Sequence, residues 1–264
     1  MLALLVALLA AAATPDPPHA LRVGLDPSGA PWAFVLARDY SKEDFRQQPR
    51  LTRDEIARLA GLDVDVIRAL ERRMGVELQI VPTRWEEIEK NLLAGQYDLI
   101  LNAWTPSAKT PAAIAASDPY YEWGLTVAVR SDDARLGSLS DLAERHIGHI
   151  DDPSVIRALR AMGAGLGARL TAVSRGGEEL FERLGRRQFD AIVFDSAYVR
   201  WRVARERSFR VLGEPLNRLG YHVGVRAADK ALLKSVQAAV KAFVGSEEAA
   251  AIRRKWESAA TLAP

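Results

Sequence analysis

The sequence predicts an α/β protein built as two lobes, each a mainly parallel sheet flanked by helices. Three observations lead to this fold class. From Leu21 onward, short apolar segments of strand length alternate with amphipathic segments of helix length, which is the pattern of βαβ units. The same alternation restarts after Arg130. The chain of 264 residues is long enough for two lobes of ordinary domain size.

The first lobe begins with three predicted strands, LRVGLD, LQIVP and YDLILNA, which are short and rich in β-branched residues. Between them, DVDVIRALERRMG and WEEIEKNLLAG predict amphipathic helices that end at Gly75 and Gly95, residues suited to cap a helix carboxyl terminus. Ligands of such sheets bind beyond the carboxyl ends of the strands. The stretch LNAWTPSAKTP lies at such an end, and we expect a helix to begin at Pro111.

The second lobe follows the same order. RHIGHID, RLTAVS and FDAIVFD predict strands, while the segment opened by Pro153 and the segment GEELFERLGRRQ predict helices. The apolar piece GYHVGVR, residues 220–226, is assigned to this second sheet as its last member. Two further helices are expected at residues 229–244 and 247–258.

The amino terminus has the organisation of a signal peptide. MLALLVALLAAAATPDPP is an apolar run that ends in small residues and prolines. We expect residues 1–19 to be a signal peptide and leader cleaved near residues 13–16, and the mature protein to be periplasmic. A lipid anchor on cysteine is excluded because the chain has no cysteine. No basic residue precedes the apolar run, and a membrane anchor stays open as the alternative.

Charge and motifs exclude several classes of function. A formal net charge of +2 gives no support for a nucleic-acid partner. Of the four histidines only His146 and His149 are close in sequence, and a strand would turn them to opposite faces. We therefore expect no metal site. No G-x-S-x-G nucleophile motif occurs, and we expect neither catalytic residues nor a cofactor.

Several segments, taken in one order, resemble the bacterial extracytoplasmic solute-binding proteins of the polar amino-acid type, family 3. They include LRVGLDPSGAPWAF, WEEIEKNLLAGQYDLILNAWT, SDPYYEWGLTVAVR and RRQFDAIVFDSAYVRW. The resemblance covers nearly all of residues 21–258. It implies the two-lobed type II periplasmic-binding-protein fold, with crossovers near residues 127–130 and 221–225. Lobe one would comprise residues 20–128 and 222–264, and lobe two residues 129–221.

The resemblance implies a function as well as a fold. A small polar solute, such as an amino acid, an amine or a related compound, would be captured between the lobes by hinge closure. The implied partner is the permease of an ABC importer in the inner membrane, and the protein would act as a monomer. Two alternatives stay open: a dehydratase of the same fold acting on prephenate or arogenate, and a binding protein that signals in trans.

The resemblance also implies ligand-binding residues, position by position. Asp195, at the end of a predicted strand of lobe two, would accept the amino group of the solute. Three of these residues have a structural role as the alternative to ligand binding. Asp26 would form a turn, Trp85 would anchor its helix in the core, and Asp195 would cap a helix. The implied set is Asp26, Trp32, Trp85, Asn102, Trp104, Thr105 and Lys109 in lobe one, with Asp151, Asp152, Ser154 and Asp195 in lobe two.

The sequence departs from this resemblance where such proteins bind a carboxylate. Thr110 stands at the position of the usual clamping arginine, and the nearest cation, Lys109, lacks the planar fork of a guanidinium. Lobe two presents Asp151 and Asp152 where backbone donors are usual. A cleft rich in acidic and aromatic side chains favours a cation or a neutral amine, while an anion site formed by Arg84 and Lys109 is the alternative.

Residues 36–60 form an insertion relative to the resembled family. Within it, Thr52 and Glu55 predict a capping box and therefore a helix from Thr52 to Ala60. The insertion would lie near the rim of the cleft and shape access or contact a partner; a tolerated surface insertion is the alternative.

Overall fold

A computed structural model describes residues 20–36, 45, 47, 50–151, 153–161, 167–174 and 176–257. The predicted signal peptide and leader, residues 1–19, lie outside the described residues, as do much of the insertion and the candidate Asp152. Across the described ranges, no helix has both the length and the apolar character needed to span a membrane.

The first part of the chain alternates strands with helices. In order, its elements are β1 (Leu21–Leu25), β2 (Ser28–Gly29), β3 (Ala33–Val35), α1 (Arg53–Ala57), β4 (Leu59–Ala60), α2 (Leu62–Met74), β5 (Leu78–Pro82), a 3₁₀ helix (Trp85–Glu87), α3 (Ile88–Leu93), β6 (Leu99–Ile100) and β7 (Ile114–Trp123). Helix α1 has the predicted capping box of Thr52 and Glu55 but is shorter than expected, because β4 begins at Leu59 and pairs with β3.

The second part continues the alternation. Its elements are β8 (Leu125–Arg130), a 3₁₀ helix (Leu139–Leu142), β9 (His146–Ile150), α4 (Pro153–Ala161), β10 (Arg169–Val173), α5 (Gly177–Gly185), β11 (Ala191–Asp195), α6 (Ser196–Arg205), β12 (Phe209–Leu212), β13 (Leu219–Arg226), α7 (Lys230–Val244) and α8 (Glu247–Glu257).

Two five-stranded sheets form the centres of the two lobes. The first has the order β5-β1-β6-β13-β7, in which β5, β1 and β6 are parallel and β13 pairs antiparallel with both β6 and β7. The second has the order β10-β9-β11-β8-β12, in which β10, β9 and β11 are parallel and β8 pairs antiparallel with both β11 and β12. The predicted α/β class is confirmed, and each sheet is mixed because one strand, β13 in the first and β8 in the second, runs opposite to the other four.

Strand β13 belongs to the first sheet, which corrects the strand-order assignment to the second sheet. The lobe-one range 222–264 implied by the resemblance already included most of this strand. It pairs along its length with β7, from Leu219 opposite Trp123 to Arg226 opposite Ile114. The same pairing explains why no helix begins at Pro111: the residues from Ile114 onward are taken into β7. Long-range pairing therefore decides the structure of both segments, and local helix signals do not.

The chain passes between the sheets at two places that lie side by side. Gly124 separates β7 in the first sheet from β8 in the second, and residues 213–218 lead from β12 back to β13. Each passage lies a few residues before the predicted crossover. Ser196 ties this region to lobe two, since its amide donates to the Gly124 carbonyl at 2.9 Å and its hydroxyl accepts from the Gly124 amide at 3.1 Å.

Helix α2 illustrates how the sequence pattern produces the packing of lobe one. Its apolar residues Val64, Ile67 and Leu70 are buried against the first sheet and against α7 and α8. Gly75 ends the helix in the left-handed region at φ 66°, as the sequence predicted. Its amide donates to the carbonyl of Glu71 at 3.0 Å.

Candidate functional site

The carboxyl ends of β1, β5 and β6 bring three of the predicted site residues together. The Asp26 amide donates to the side-chain oxygen of Asn102 at 2.6 Å, and the Trp85 amide donates to the Asp26 carboxylate at 2.9 Å. Neighbouring parallel strands end at one edge of a sheet, so residues distant in sequence meet there. This edge of lobe one is the candidate site.

Asp26 is engaged by its own lobe. Besides the Trp85 amide, its carboxylate accepts from the amide of Ser28 at 2.9 Å and from the Ser28 hydroxyl at 2.5 Å. These bonds are those of a turn-forming and capping aspartate, which was the alternative role for this residue. The indole of Trp85 is 40% exposed beside it. Asp26 therefore positions an aromatic surface that solvent can reach.

Trp104 lies in the core of lobe one and does not face an open cleft. It is 3% exposed, its ring packs on Gly224, and its Nε1 donates to Glu89 at 2.9 Å. The same Glu89 oxygen accepts from the Thr110 hydroxyl at 3.1 Å. Thr110, which stands where the resembled family usually has the clamping arginine, is thus hydrogen-bonded to the carboxylate of Glu89.

Thr105 ties the loop after β6 to the crossing strands. Its hydroxyl donates to the carbonyl of Gly220 at 2.8 Å and accepts from Trp123 Nε1 at 3.1 Å. Lys109 is exposed, four residues further along the same loop. The structure therefore separates these two candidates: Thr105 is committed to protein contacts, while the ammonium group of Lys109 has no partner among the described residues.

The lobe-two candidates after β9 are placed only in part. Asp151 is exposed at the end of β9, and Ser154 is the second residue of α4. Asp152 lies outside the described residues. His146 and His149 on β9 have separate partners, with His146 Nε2 bonded to the Thr171 hydroxyl at 2.8 Å and His149 Nδ1 to the Ile150 carbonyl at 2.6 Å.

Asp195 lies where the two lobes meet. It caps helix α6 by accepting from the amide of Ala197 at 2.8 Å, the alternative role that its position suggested. It also accepts a short hydrogen bond from the hydroxyl of Tyr221, which belongs to β13 in the other lobe. The residue is 9% exposed. Asp195 thus combines a local cap with a contact across the junction.

Aromatic side chains from both lobes surround this contact. Trp32 Nε1 donates to the Tyr221 hydroxyl oxygen at 3.1 Å, and the Trp32 ring stacks on Tyr198 of lobe two. Tyr121 and Trp123 stack on the Tyr221 ring, with centroids 5.5 Å and 5.4 Å away. Trp32, predicted as a ligand contact, is therefore part of the junction between the lobes.

A second buried carboxyl lies close by in lobe one. Asp63, in the first turn of α2, accepts from the Tyr120 hydroxyl at 2.7 Å, and its other oxygen is buried without a hydrogen-bond partner among the described residues. Burial raises the pKa of Asp63 to about 7 against the Tyr120 hydrogen bond. Burial likewise raises the pKa of Asp195 to about 7, opposed by Tyr221. The pKa values of both carboxyls are therefore shifted from the usual acidic range toward neutrality.

Three residues of this region were missed by the sequence analysis, namely Asp63, Glu89 and Tyr221. Each lies in a segment that looks like an ordinary helix or strand, and its partner is far away in sequence. One signal was available: GLDVDV places Asp63 at the start of an apolar helix face, where a charged residue is unusual.

Comparison with known proteins identifies related chains. A family model described as bacterial extracellular solute-binding proteins, family 3, matches residues 46–259. A probable amino-acid ABC transporter-binding protein of Haemophilus influenzae is 29% identical over 92 residues, which is 35% of this chain and 36% of that protein. The L-cystine-binding protein TcyJ of Escherichia coli K12 is 25% identical over 201 residues, 75% of this chain and 74% of TcyJ. The chain thus spans about a third of the first of these relatives.

A solved structure supports the fold. An ancestral amino-acid-binding protein, described as a precursor of cyclohexadienyl dehydratase, superposes with a TM-score of 0.67 at 22% identity. The superposition covers 90% of this chain and 95% of that one. At this identity the likeness carries the two-lobed fold alone.

Proposed function

The chain belongs to the bacterial extracellular solute-binding proteins of family 3, and from this membership we propose that it captures a small polar solute between its two lobes. The solute class is that of amino acids, amines and related compounds. In this proposal one lobe binds the solute first and the other closes over it, so the closed form gains contacts that the open form lacks.

One observation supports this proposal above the others. The strand ends that gather Asp26, Trp85 and Asn102 belong to lobe one, while Asp195 ends the central parallel strand of lobe two and reaches lobe one through Tyr221. Binding groups placed on both sides of a junction allow closure to exclude water. Exclusion of water strengthens each hydrogen bond and ion pair to the solute.

The partner and the location follow the same proposal. The solute would be delivered to an ABC permease by a monomeric, periplasmic protein that is exported by the signal at residues 1–19. The acidic and aromatic residues of the candidate set favour a cation or a neutral amine. The alternative is an anion site formed by Arg84 and by Lys109, the exposed cation of the loop after β6.

A melting screen tests this function without assuming which solute binds. A solute that binds only the folded protein raises the melting midpoint by mass action. At a free solute concentration of 100 times Kd, binding adds about 2.7 kcal/mol to the free energy of unfolding. The protein would be screened against the twenty L-amino acids, polyamines and organic acids, with titration calorimetry on every hit. Tight binding of acidic amino acids would contradict the cationic solute, and a screen without hits would contradict solute capture.

A dehydratase is the second candidate function, and the two buried carboxyls favour it. Asp63 and Asp195 both have pKa values raised to about 7 by burial, which suits a general acid at neutral pH. Incubation with prephenate and with arogenate, followed by chromatography of the products, tests this activity. Turnover of either compound would favour dehydratase activity over solute capture for transport.

A further inference from the structure

Three side chains form a directed chain of hydrogen bonds across the junction of the lobes. Trp32 Nε1 donates to the Tyr221 oxygen at 3.1 Å, and the Tyr221 hydroxyl donates to Asp195. An indole N–H can only donate, so it occupies the phenol oxygen as an acceptor. The phenol proton is therefore directed to the Asp195 carboxylate.

Tyr221 is held in place independently of Asp195. Its ring is 1% exposed and lies between Tyr121 and Trp123, which stack on it with interplanar angles of 14° and 25°. The residue also lies in β13, opposite Tyr121 of β7. Because the sheet and the stacked rings fix the phenol ring, the Tyr221 hydroxyl is directed to Asp195 alone.

The Asp195 carboxylate keeps acceptor capacity after these bonds are made. The Ala197 amide donates to one oxygen at 2.8 Å, Tyr221 donates to the other, and the backbone amide of Tyr198 also interacts with the carboxylate. Two carboxylate oxygens offer about four acceptor positions. Room is left for an N–H donor of a bound molecule.

We propose that Tyr221 is a positioning residue for solute binding, which keeps the Asp195 carboxylate ionised and in one orientation so that it can accept the ammonium group of a solute. This inference rests on the proposed capture of an amine-bearing solute. Tyr221 itself makes no contact with the solute; it acts through Asp195 and reaches that residue from the opposite lobe.

The electrostatics of the junction explain why the carboxylate needs this support. Burial raises the pKa of Asp195, and the Tyr221 hydrogen bond works against that rise. Asp63 lies near enough for the charge of Asp195 to contribute to the raised pKa of Asp63. The titratable groups around Asp195 are Asp63 on α2, Tyr120 and Tyr121 on β7, Tyr198 on α6 and Tyr221 on β13, and the charged groups Arg200 on α6 and Glu257 on α8 act on Tyr121.

The phenol is the only hydroxyl that donates to Asp195 among these described groups. Tyr120 donates to Asp63, Tyr121 donates to Glu257, and Tyr198 donates to Glu178. Removal of the Tyr221 hydroxyl would remove a hydrogen bond that opposes burial, and the pKa of Asp195 would rise further. The carboxyl would then be protonated at neutral pH, and an ammonium group would have to displace that proton before it could bind.

The test compares Tyr221→Phe with Tyr198→Phe, which also removes a buried hydroxyl at the junction but one bound to Glu178. L-arginine and L-glutamine are titrated by calorimetry into the unsubstituted protein and both variants at pH 6 and pH 8.5. Carbon-13 labelling of the aspartate carboxyls follows the titration of Asp195 by NMR without any solute. Thermal melts establish that both variants are folded.

We expect Tyr221→Phe to weaken amino-acid binding about tenfold at pH 6 and about twofold or less at pH 8.5, because a hydrogen bond to a charged group is worth about a tenfold ratio. The NMR titration of Asp195 should move to higher pH in this variant and not in Tyr198→Phe. An unmoved titration, or an equal loss of affinity at both pH values, overturns the inference. Failure of the unsubstituted protein to bind either amino acid, while the titration moves, counts against the proposed solute and not against the action of Tyr221 on Asp195.

Discussion

The indole of Trp32 stacks on the phenol ring of Tyr198, with 5.8 Å between the ring centroids and 24° between the planes. Trp32 precedes β3 in lobe one, and Tyr198 lies in the first turn of α6 in lobe two. The pair is therefore a direct contact between the lobes. Aromatic pairs of this geometry contribute about 0.5–1.5 kcal/mol beyond their buried area, which is enough to bias the equilibrium between open and closed arrangements.

Loss of this contact should open the protein. Trp32→Ala removes both the stacking on Tyr198 and the hydrogen bond to Tyr221. We expect a larger radius of gyration in X-ray scattering, measured without added solute. Trp85→Ala, which removes an exposed indole that takes no part in the Trp32–Tyr198 stack, should leave the scattering curve unchanged. An unchanged radius for Trp32→Ala would mean that other contacts hold the lobes together.

Trp85 should matter for binding and little for stability. Its side chain is 40% exposed, so Trp85→Ala should change the free energy of unfolding by about 0.5 kcal/mol or less. We expect a clear loss of affinity for the solute found by the melting screen, measured by calorimetry. Leu93→Ala is the matched control, because Leu93 is equally exposed and lies at the end of α3. Equal affinities in the two variants would place Trp85 outside the site.

Gly124 should tolerate no side chain. A Cβ atom at this position would lie 2.1 Å from the carbonyl oxygen of Asn217, in the neighbouring passage between the lobes. We expect Gly124→Ala to lower the free energy of unfolding by about 1–3 kcal/mol in urea denaturation, the usual cost of overpacking. Gly245→Ala meets no atom within 4 Å and should be near neutral. A neutral Gly124→Ala would show that the two passages move apart easily.

Stability should fall as pH rises from about 5 to about 7. The pKa values of Asp63 and Asp195 are raised to about 7, whereas in the unfolded chain both return to about 4. Between these values the folded protein binds more protons than the unfolded chain. The stabilisation from these protons is complete below the unfolded pKa and is lost as pH rises through the folded pKa, by up to about 1.4 kcal/mol per pH unit for each carboxyl.

Asp63→Asn tests this dependence, because asparagine does not titrate. Urea denaturation at pH 5, 6, 7 and 8 should show a smaller fall than in the unsubstituted protein. The control is Asp98→Asn. Burial raises the pKa of Asp98, but hydrogen bonds from Arg22 outweigh burial and hold the pKa below its usual value. The contribution of Asp98 to the pH dependence of stability therefore lies at more acidic pH. An equal slope for Asp63→Asn and the unsubstituted protein would contradict protonation of Asp63 near neutrality.

Sequence patterns predicted the elements whose causes are local. Helix α2 and its end at Gly75 follow from a 3.6-residue apolar period and a glycine cap, both of which operate within a few residues. The capping box of Thr52 and Glu55 is likewise local. Strand β13 could not be placed in the correct sheet from its own residues, since its pairing with β7 joins segments about a hundred residues apart.

The candidate site shows the same division. Asp26, Trp85 and Asn102 could be grouped because parallel strands end at one edge, and the structure brings them together. Trp104 could not be distinguished from a cleft residue, because burial against Gly224 depends on the return of β13. Asp195 was found from its position at a strand end, but its partner Tyr221 was hidden in an apolar strand, where an aromatic residue reads as core.

Lobe two is one uninterrupted stretch of chain, and its backbone is joined to that of lobe one through Gly124 and residues 213–218. These attachments lead into β8 and out of β12, which are adjacent strands at one side of the second sheet. A body joined at two neighbouring points can rotate about the line through them without stretching either one. Displacement grows with distance from that line, so β10, at the opposite edge of the sheet, should travel farthest. A spectroscopic label there would report the motion with the largest signal, and a single introduced cysteine would carry it uniquely because the chain has none of its own.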